Sequence, residues 1–112
     1  MARPKRKTLR AAGATSPIPL NLHISPFNVG FAVDLSAGAT LTYTVEHTFD
    51  DVFDPSFDAG TATWFPNSVV AGETADADGN YAFPITAIRL NVTSYTGGTA
   101  TFTVIQAGIR GN

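Results

Sequence analysis

Apolar and polar residues alternate through most of this chain at a period of two, which places successive side chains on opposite faces of a β-strand. Ile18, Leu20, Leu22 and Ile24 share one face, with Pro19, Asn21 and His23 on the other. Pro19 has no amide hydrogen for a ladder, so this strand is expected to begin there or to lie at an edge. Ser25-Pro26 breaks the run. A second run over 29–35 keeps Val29, Phe31, Val33 and Leu35 in register, with Asp34 opposed. After a turn at Ser36-Ala37-Gly38, Leu41, Tyr43, Val45 and His47 point one way, and Thr40, Thr42, Thr44, Glu46 and Thr48 point the other. That pattern predicts a strand with one buried and one wet face.

Alternation stops at 49–60, FDDVFDPSFDAG, where four aspartates interleave with Phe49, Val52, Phe53 and Phe57. This reads as a long ordered loop, with room for one helical turn, pinned by its phenylalanines. Residues 61–65 make a short strand. Residues 66–80 make a second loop, ending in the turn-forming series Asp76-Ala77-Asp78-Gly79-Asn80. Ile88, Leu90 and Val92 then alternate with Ala87, Arg89, Asn91 and Thr93. Ser94 to Gly98 supplies a turn, and Ala100, Phe102, Val104 and Gln106 return with Thr99, Thr101 and Thr103 opposed, predicting a C-terminal hairpin. The whole reads as all-β: a single β-sandwich or jelly-roll-like domain of about seven or eight short antiparallel strands. Its core is expected at Leu41, Tyr43, Val45, Ile88, Leu90, Val92, Phe102 and Val104.

Composition narrows the picture. A chain of 112 residues is one domain's worth. Charged residues are 14%, against roughly 25% in a typical globular domain. There is no cysteine, which excludes disulfide scaffolds, thiolate zinc sites and cysteine nucleophiles. Five of the seven basic residues, Arg3, Lys5, Arg6, Lys7 and Arg10, fall in the first ten positions. The remaining chain carries two arginines against all nine acids, a net of −7. Residues 1–17 are therefore read as an extended basic N-terminal arm, and residues 18–112 as the β-domain. Such asymmetry points to an anionic partner for the arm. The stretch after it, AAGATSPIP, is too polar for a secretory signal, and no run approaches a membrane span of about 18 apolar residues. A soluble chain that keeps its tail is expected.

Little in the sequence suggests catalysis. His23 and His47 have no second histidine or carboxylate at a metal-ligand spacing, and both are expected at the surface or rim. No nucleophile elbow, phosphate-binding loop or dinucleotide fingerprint is present. Asp76 to Asn80 begins like a calcium loop, but Tyr81 and Ala87 stand where glycine and a bidentate glutamate are needed. Asp50, Asp51, Asp54 and Asp58 read first as a solvated acidic loop rather than a cation site. Asn91-Val92-Thr93 fits a glycosylation acceptor, to no purpose without secretion. The arm could neutralise phosphates, yet it lacks aromatics for base stacking, and the −7 body would be repelled by nucleic acid.

Three stretches, VEHTFDDVFDP, TATWFPN and DADGNYAFPITAIRLNVTSYTGGTATFTVIQAG, resemble small structural proteins of the head modules of tailed bacteriophages. The resemblance covers residues 28–109. It is most specific from Pro84 to Gly108, where Ala87-Ile88-Arg89-Leu90 meets Thr103-Val104-Ile105-Gln106. It implies a capsid cement or decoration protein of the jelly-roll kind, bound outside a shell and bridging capsomers. That role carries no enzyme activity and no cofactor. The implied partners are the major capsid protein and copies of the chain itself, as a dimer or trimer, with no membrane and no specific nucleic acid. The implied location is the virion surface, after assembly in the host cytoplasm. On this reading Arg3, Lys5, Arg6, Lys7 and Arg10 grip the shell or a neighbouring copy. Asp50, Asp51, Asp54 and Asp58 offer an acidic loop between subunits. The alternative is a receptor- or glycan-binding module of a tail or head fibre, with Trp64, Phe65, Tyr81 and Tyr95 available to stack on sugar rings.

Overall fold

A computed structural model describes residues 4–22 and 24–110. Nine strands follow one another as β1 (Lys5–Leu9), β2 (Gly13–Ala14), β3 (Ile18–Pro19), β4 (Ile24–Leu35), β5 (Thr40–Thr48), β6 (Trp64–Pro66), β7 (Ala77–Tyr81), β8 (Ala87–Gly97) and β9 (Ala100–Arg110). They form two antiparallel sheets packed as a β-sandwich. The first has four strands in the order β1-β9-β4-β7; the second has β2-β8-β5-β6, with β3 also on β8. The alternating positions of β4, β5, β8 and β9 face inward and fill the space between the sheets. All eight expected core residues are buried, and Val29, Phe31, Val33, Val70, Tyr81 and Ile85 join them.

The segment read as an extended arm is extended, but it lies along the body. Lys5 to Leu9 pair antiparallel with Val104 to Ala100 of β9. The chain then crosses to the second sheet, where β2 and β3 line one side of β8 in succession. Between them Thr15 substitutes for strand pairing: its amide donates to the Leu90 carbonyl at 2.8 Å, and its Oγ1 accepts from the Leu90 amide at 3.1 Å. Thr15 is buried as a result.

Several local expectations are corrected. Ser25-Pro26 does not end a strand: β4 runs through it with a register shift between Ser25 and Asn28, a bulge that accommodates the missing amide. Leu22 is not part of an inward face but is exposed at a turn. Asp76 to Asn80 is no turn, because Ala77–Tyr81 is an edge strand on β4. The reason is packing. Tyr81 is buried, and Gly79 leaves room for the Phe31 ring, since a Cβ there would sit 2.7 Å from Phe31 Cζ.

The C-terminal hairpin is also overturned. β8 pairs with β5 and β9 pairs with β4 and β1, so the two strands lie in opposite sheets. Their inward residues meet across the core rather than side by side. The β4–β5 connection crosses the sandwich beside the β8–β9 connection. The two arches are tied by Ser36, whose amide donates to the Thr99 carbonyl at 3.0 Å and whose Oγ accepts from the Thr99 amide at 2.9 Å. Gly98 makes this possible, with φ +91° and its α-carbon so close that a Cβ would lie 2.5 Å from Ala39 Cβ.

Candidate functional surfaces

β5 ends at one open side of the sandwich, where the edge strands β6 and β7 flank it. His47, the last inward residue of its alternation, is there 7% exposed. The expectation of a surface or rim histidine is thus corrected: its place in register with Leu41, Tyr43 and Val45 carries it inside. His47 Nδ1 shares a 2.7 Å hydrogen bond with the Tyr81 hydroxyl. The Asn67 side chain acts on that hydroxyl to lower its pKa, against the larger effect of burial, and Asn67 Oδ1 accepts from the amides of Val69 and Val70 at 2.9 Å each. Burial lowers the His47 pKa from its ordinary value. Burial is likewise the main cause that pushes the Tyr81 hydroxyl up to about 12. The Tyr43 hydroxyl, donating to the Ala75 carbonyl at 2.6 Å, is raised to about 12 by burial first and then by Glu73 and Asp76.

Four rings surround the imidazole. Tyr81 lies 4.8 Å away centroid to centroid, Phe49 5.6 Å, Phe83 5.7 Å and Phe65 6.0 Å. Phe49 also contacts Phe65 at 5.9 Å and stacks near Phe83 at 6.4 Å. The phenylalanines remain about half exposed, at 55%, 45% and 48% for Phe49, Phe65 and Phe83. They make an aromatic cap: an apolar outer layer on a hydrogen-bonded base. Reading the sequence for charge and motifs misses it, because Phe49 and Phe83 sit in connections. The usable signal is that both follow strand positions facing the same interior end.

The acidic loop holds itself together. Asp51 Oδ1 accepts from the Phe53 amide, Asp54 Oδ1 from the amide and hydroxyl of Ser56, and Asp58 Oδ1 from the Gly60 amide. Asp50 Oδ2 accepts from the Thr63 amide at 2.8 Å. These are the local turns that Asp favours. The Ser56 bonds hold the Asp54 carboxyl below its usual pKa. So the aspartates brace the loop while Phe49 anchors its start in the cap; Phe53 is 72% exposed, and a single helical turn closes the far end, where the Ala62 amide donates to the Asp58 carbonyl at 2.9 Å. Among the described residues, no three histidine, aspartate or glutamate side chains gather to hold a metal ion.

The basic residues divide. Arg3 and His23 lie outside the described residues. Lys5 and Arg6 are exposed on β1, Lys7 Nζ donates to Ser16 Oγ at 2.9 Å, and Arg10 is exposed in the crossing to β2. Of the rings considered for stacking on sugars, Tyr81 is buried and the Tyr95 hydroxyl donates to the Gly98 carbonyl. Trp64 is covered by the Arg89 guanidinium 4.1 Å above its ring, and Arg89 is held by Glu46 at 2.7 Å. Phe65 alone of the four stands in the cap. Compared with protein-family models, with curated proteins and with solved structures, the chain matches none of them.

Proposed function

We propose that this chain is a non-enzymatic structural protein of a phage virion, binding and stabilising the capsid shell as a cement or decoration protein. The observation that carries the reading is the aromatic cap. Three half-exposed phenylalanines gathered on a rigid base are the kind of apolar patch that marks a protein–protein contact. The base is preorganised by the His47–Tyr81 bond and by the bonds from the Val69 and Val70 amides to Asn67, so docking would freeze few additional torsions. The major capsid protein is the proposed partner of the cap. Strand order adds support. In β1-β9-β4-β7 against β2-β8-β5-β6, most connections cross between sheets, the arrangement of a jelly roll, which recurs in viral capsid and lectin domains. The basic residues Lys5, Arg6, Lys7 and Arg10, with Arg3, add electrostatic grip on the shell or on a neighbouring copy. Many copies on one shell gain avidity from modest single contacts.

The test is to delete or strip the protein and compare particle melting and genome leakage with and without add-back. Add-back should restore heat resistance, and add-back of the Phe49→Ser, Phe83→Ser double variant should not. Unchanged particle stability together with lost host adsorption would favour the receptor- or glycan-binding alternative instead.

A further inference from the structure

The two sheets treat their edges differently. In the second sheet, one edge is broken into the two-residue strands β2 and β3, the latter containing Pro19. Beyond β6, its other edge is closed by residues 67–73, since β5 exchanges bonds with Val70, Asn67 and Glu73. These are ordinary ways of blunting an edge. In the first sheet, β1 and β7 are each paired on one side only, among the described residues. Both are five residues long.

These two open edges complement one another. A four-stranded antiparallel sheet has outer strands running in opposite directions, so a second copy placed alongside brings its β1 antiparallel to the first copy's β7. Charge favours that meeting and opposes the others. β1 reads KRKTL, and β7 with the residue before it reads DADGNY. Pairing β1 with β1 would set Lys5, Arg6 and Lys7 against their like, and pairing β7 with β7 would oppose Asp76 and Asp78. Facing also agrees. Arg6 aligns through Thr103 and Ala32 with Asp78, so both charges lie on the same outer face of the sheet. A register with Arg6 opposite Asp78 puts Thr8 opposite Asp76. It also sets the long stems of Lys5 and Lys7 against Gly79 and Ala77, the smallest residues of β7. A one-residue slip would lose all of this by turning the charges to opposite faces.

We propose that the first sheet continues from copy to copy, β1 of one chain pairing antiparallel with β7 of the next through Arg6 and Asp78. The contact is head to tail, so repetition gives a ring if the rotation closes and a chain of subunits if it does not. It concerns the free protein and does not depend on the capsid reading.

The experiment is sedimentation of the protein alone at low ionic strength over a range of concentrations. Wild type should associate as concentration rises. Arg6→Asp and Asp78→Arg should each weaken association by about tenfold or more, the usual effect of opposing like charges. An equimolar mixture of the two single variants should recover it, because each restores an opposite pair with the other; the double variant should recover it alone. Far-UV circular dichroism checks that each variant folds, which substitutions at exposed outer-face positions permit. A wild type that stays monomeric throughout, or single variants that associate as well as wild type, would overturn the proposal. So would a mixture no better than its components.

Discussion

At the residue scale, burial follows alternation wherever a strand is long. Leu90 is fully buried on β8 among the inward residues of both sheets, so Leu90→Ala should lower stability by about 2–5 kcal/mol in denaturant unfolding. A loss under about 0.5 kcal/mol would mean that β8 is one residue out of register. The same period puts His47 on the inward face, yet its environment is not readable from sequence, since the rings around it come from β6, β7 and two connections. Its lowered pKa gives a signed prediction. The unfolded chain takes up a proton at His47 more readily than the folded one, so stability falls as pH drops below about 6.5 and levels off beneath the folded value. His47→Gln should flatten the unfolding midpoint across that window while leaving the acid loss from carboxylates below it. An equally steep wild-type and variant profile would remove His47 as the cause. Gly79 illustrates the opposite limit of legibility: among Asp, Gly and Asn it reads as a turn, whereas in the fold its missing Cβ admits Phe31.

At the element scale, the long strands β5, β8 and β9 and most of β4 are legible but their partnership is not, and the edge strands β1 and β7 read as an arm and a turn. The run from Ala87 to Gln106 carries two strands and glycines between them, which local chemistry reads as a hairpin. What decides otherwise is the inward face of each strand. In a sandwich those faces can oppose one another only if the chain crosses between sheets, and Gly98 supplies the corner. Gly98→Ala should therefore cost at least about 2 kcal/mol, combining a left-handed residue with overpacking against Ala39. Gly38→Ala also meets a positive φ, +75°, but open space, so it should cost only about 1–2 kcal/mol. Equal losses would show that the Gly98–Ala39 approach contributes nothing. For β1, basic composition suggests an arm, and only the ladder on β9 reveals an edge strand whose Leu9 packs against the core. Removing residues 2–10 should keep the sandwich while lowering its stability by about 1–3 kcal/mol, near the worth of one leucine.

At the scale of the whole molecule, sandwich class and charge asymmetry can both be read from sequence. Where the charges end up cannot, because it depends on which strands become edges. The fold places the basic segment and Asp76–Asp78 at opposite ends of one sheet, and the phenylalanine cap at the end of the sandwich beside β6. The two proposed contacts then differ in physical character. Contact between copies joins a short strand ladder to exposed charge pairs, and the charge pairs that select it weaken as the Debye length shrinks from about 10 Å at 0.1 M salt to about 3 Å at 1 M. Contact between cap and shell is apolar, which salt does not screen and sulfate strengthens. Binding of the protein to stripped particles should consequently be steep in protein concentration at low salt, where each bound copy assists the next. At high salt the curve should become shallow and non-cooperative while binding persists. Curves equally steep at both ionic strengths would remove the contact between copies. Complete release by salt would instead assign the shell contact to the basic strand, leaving the cap without that role.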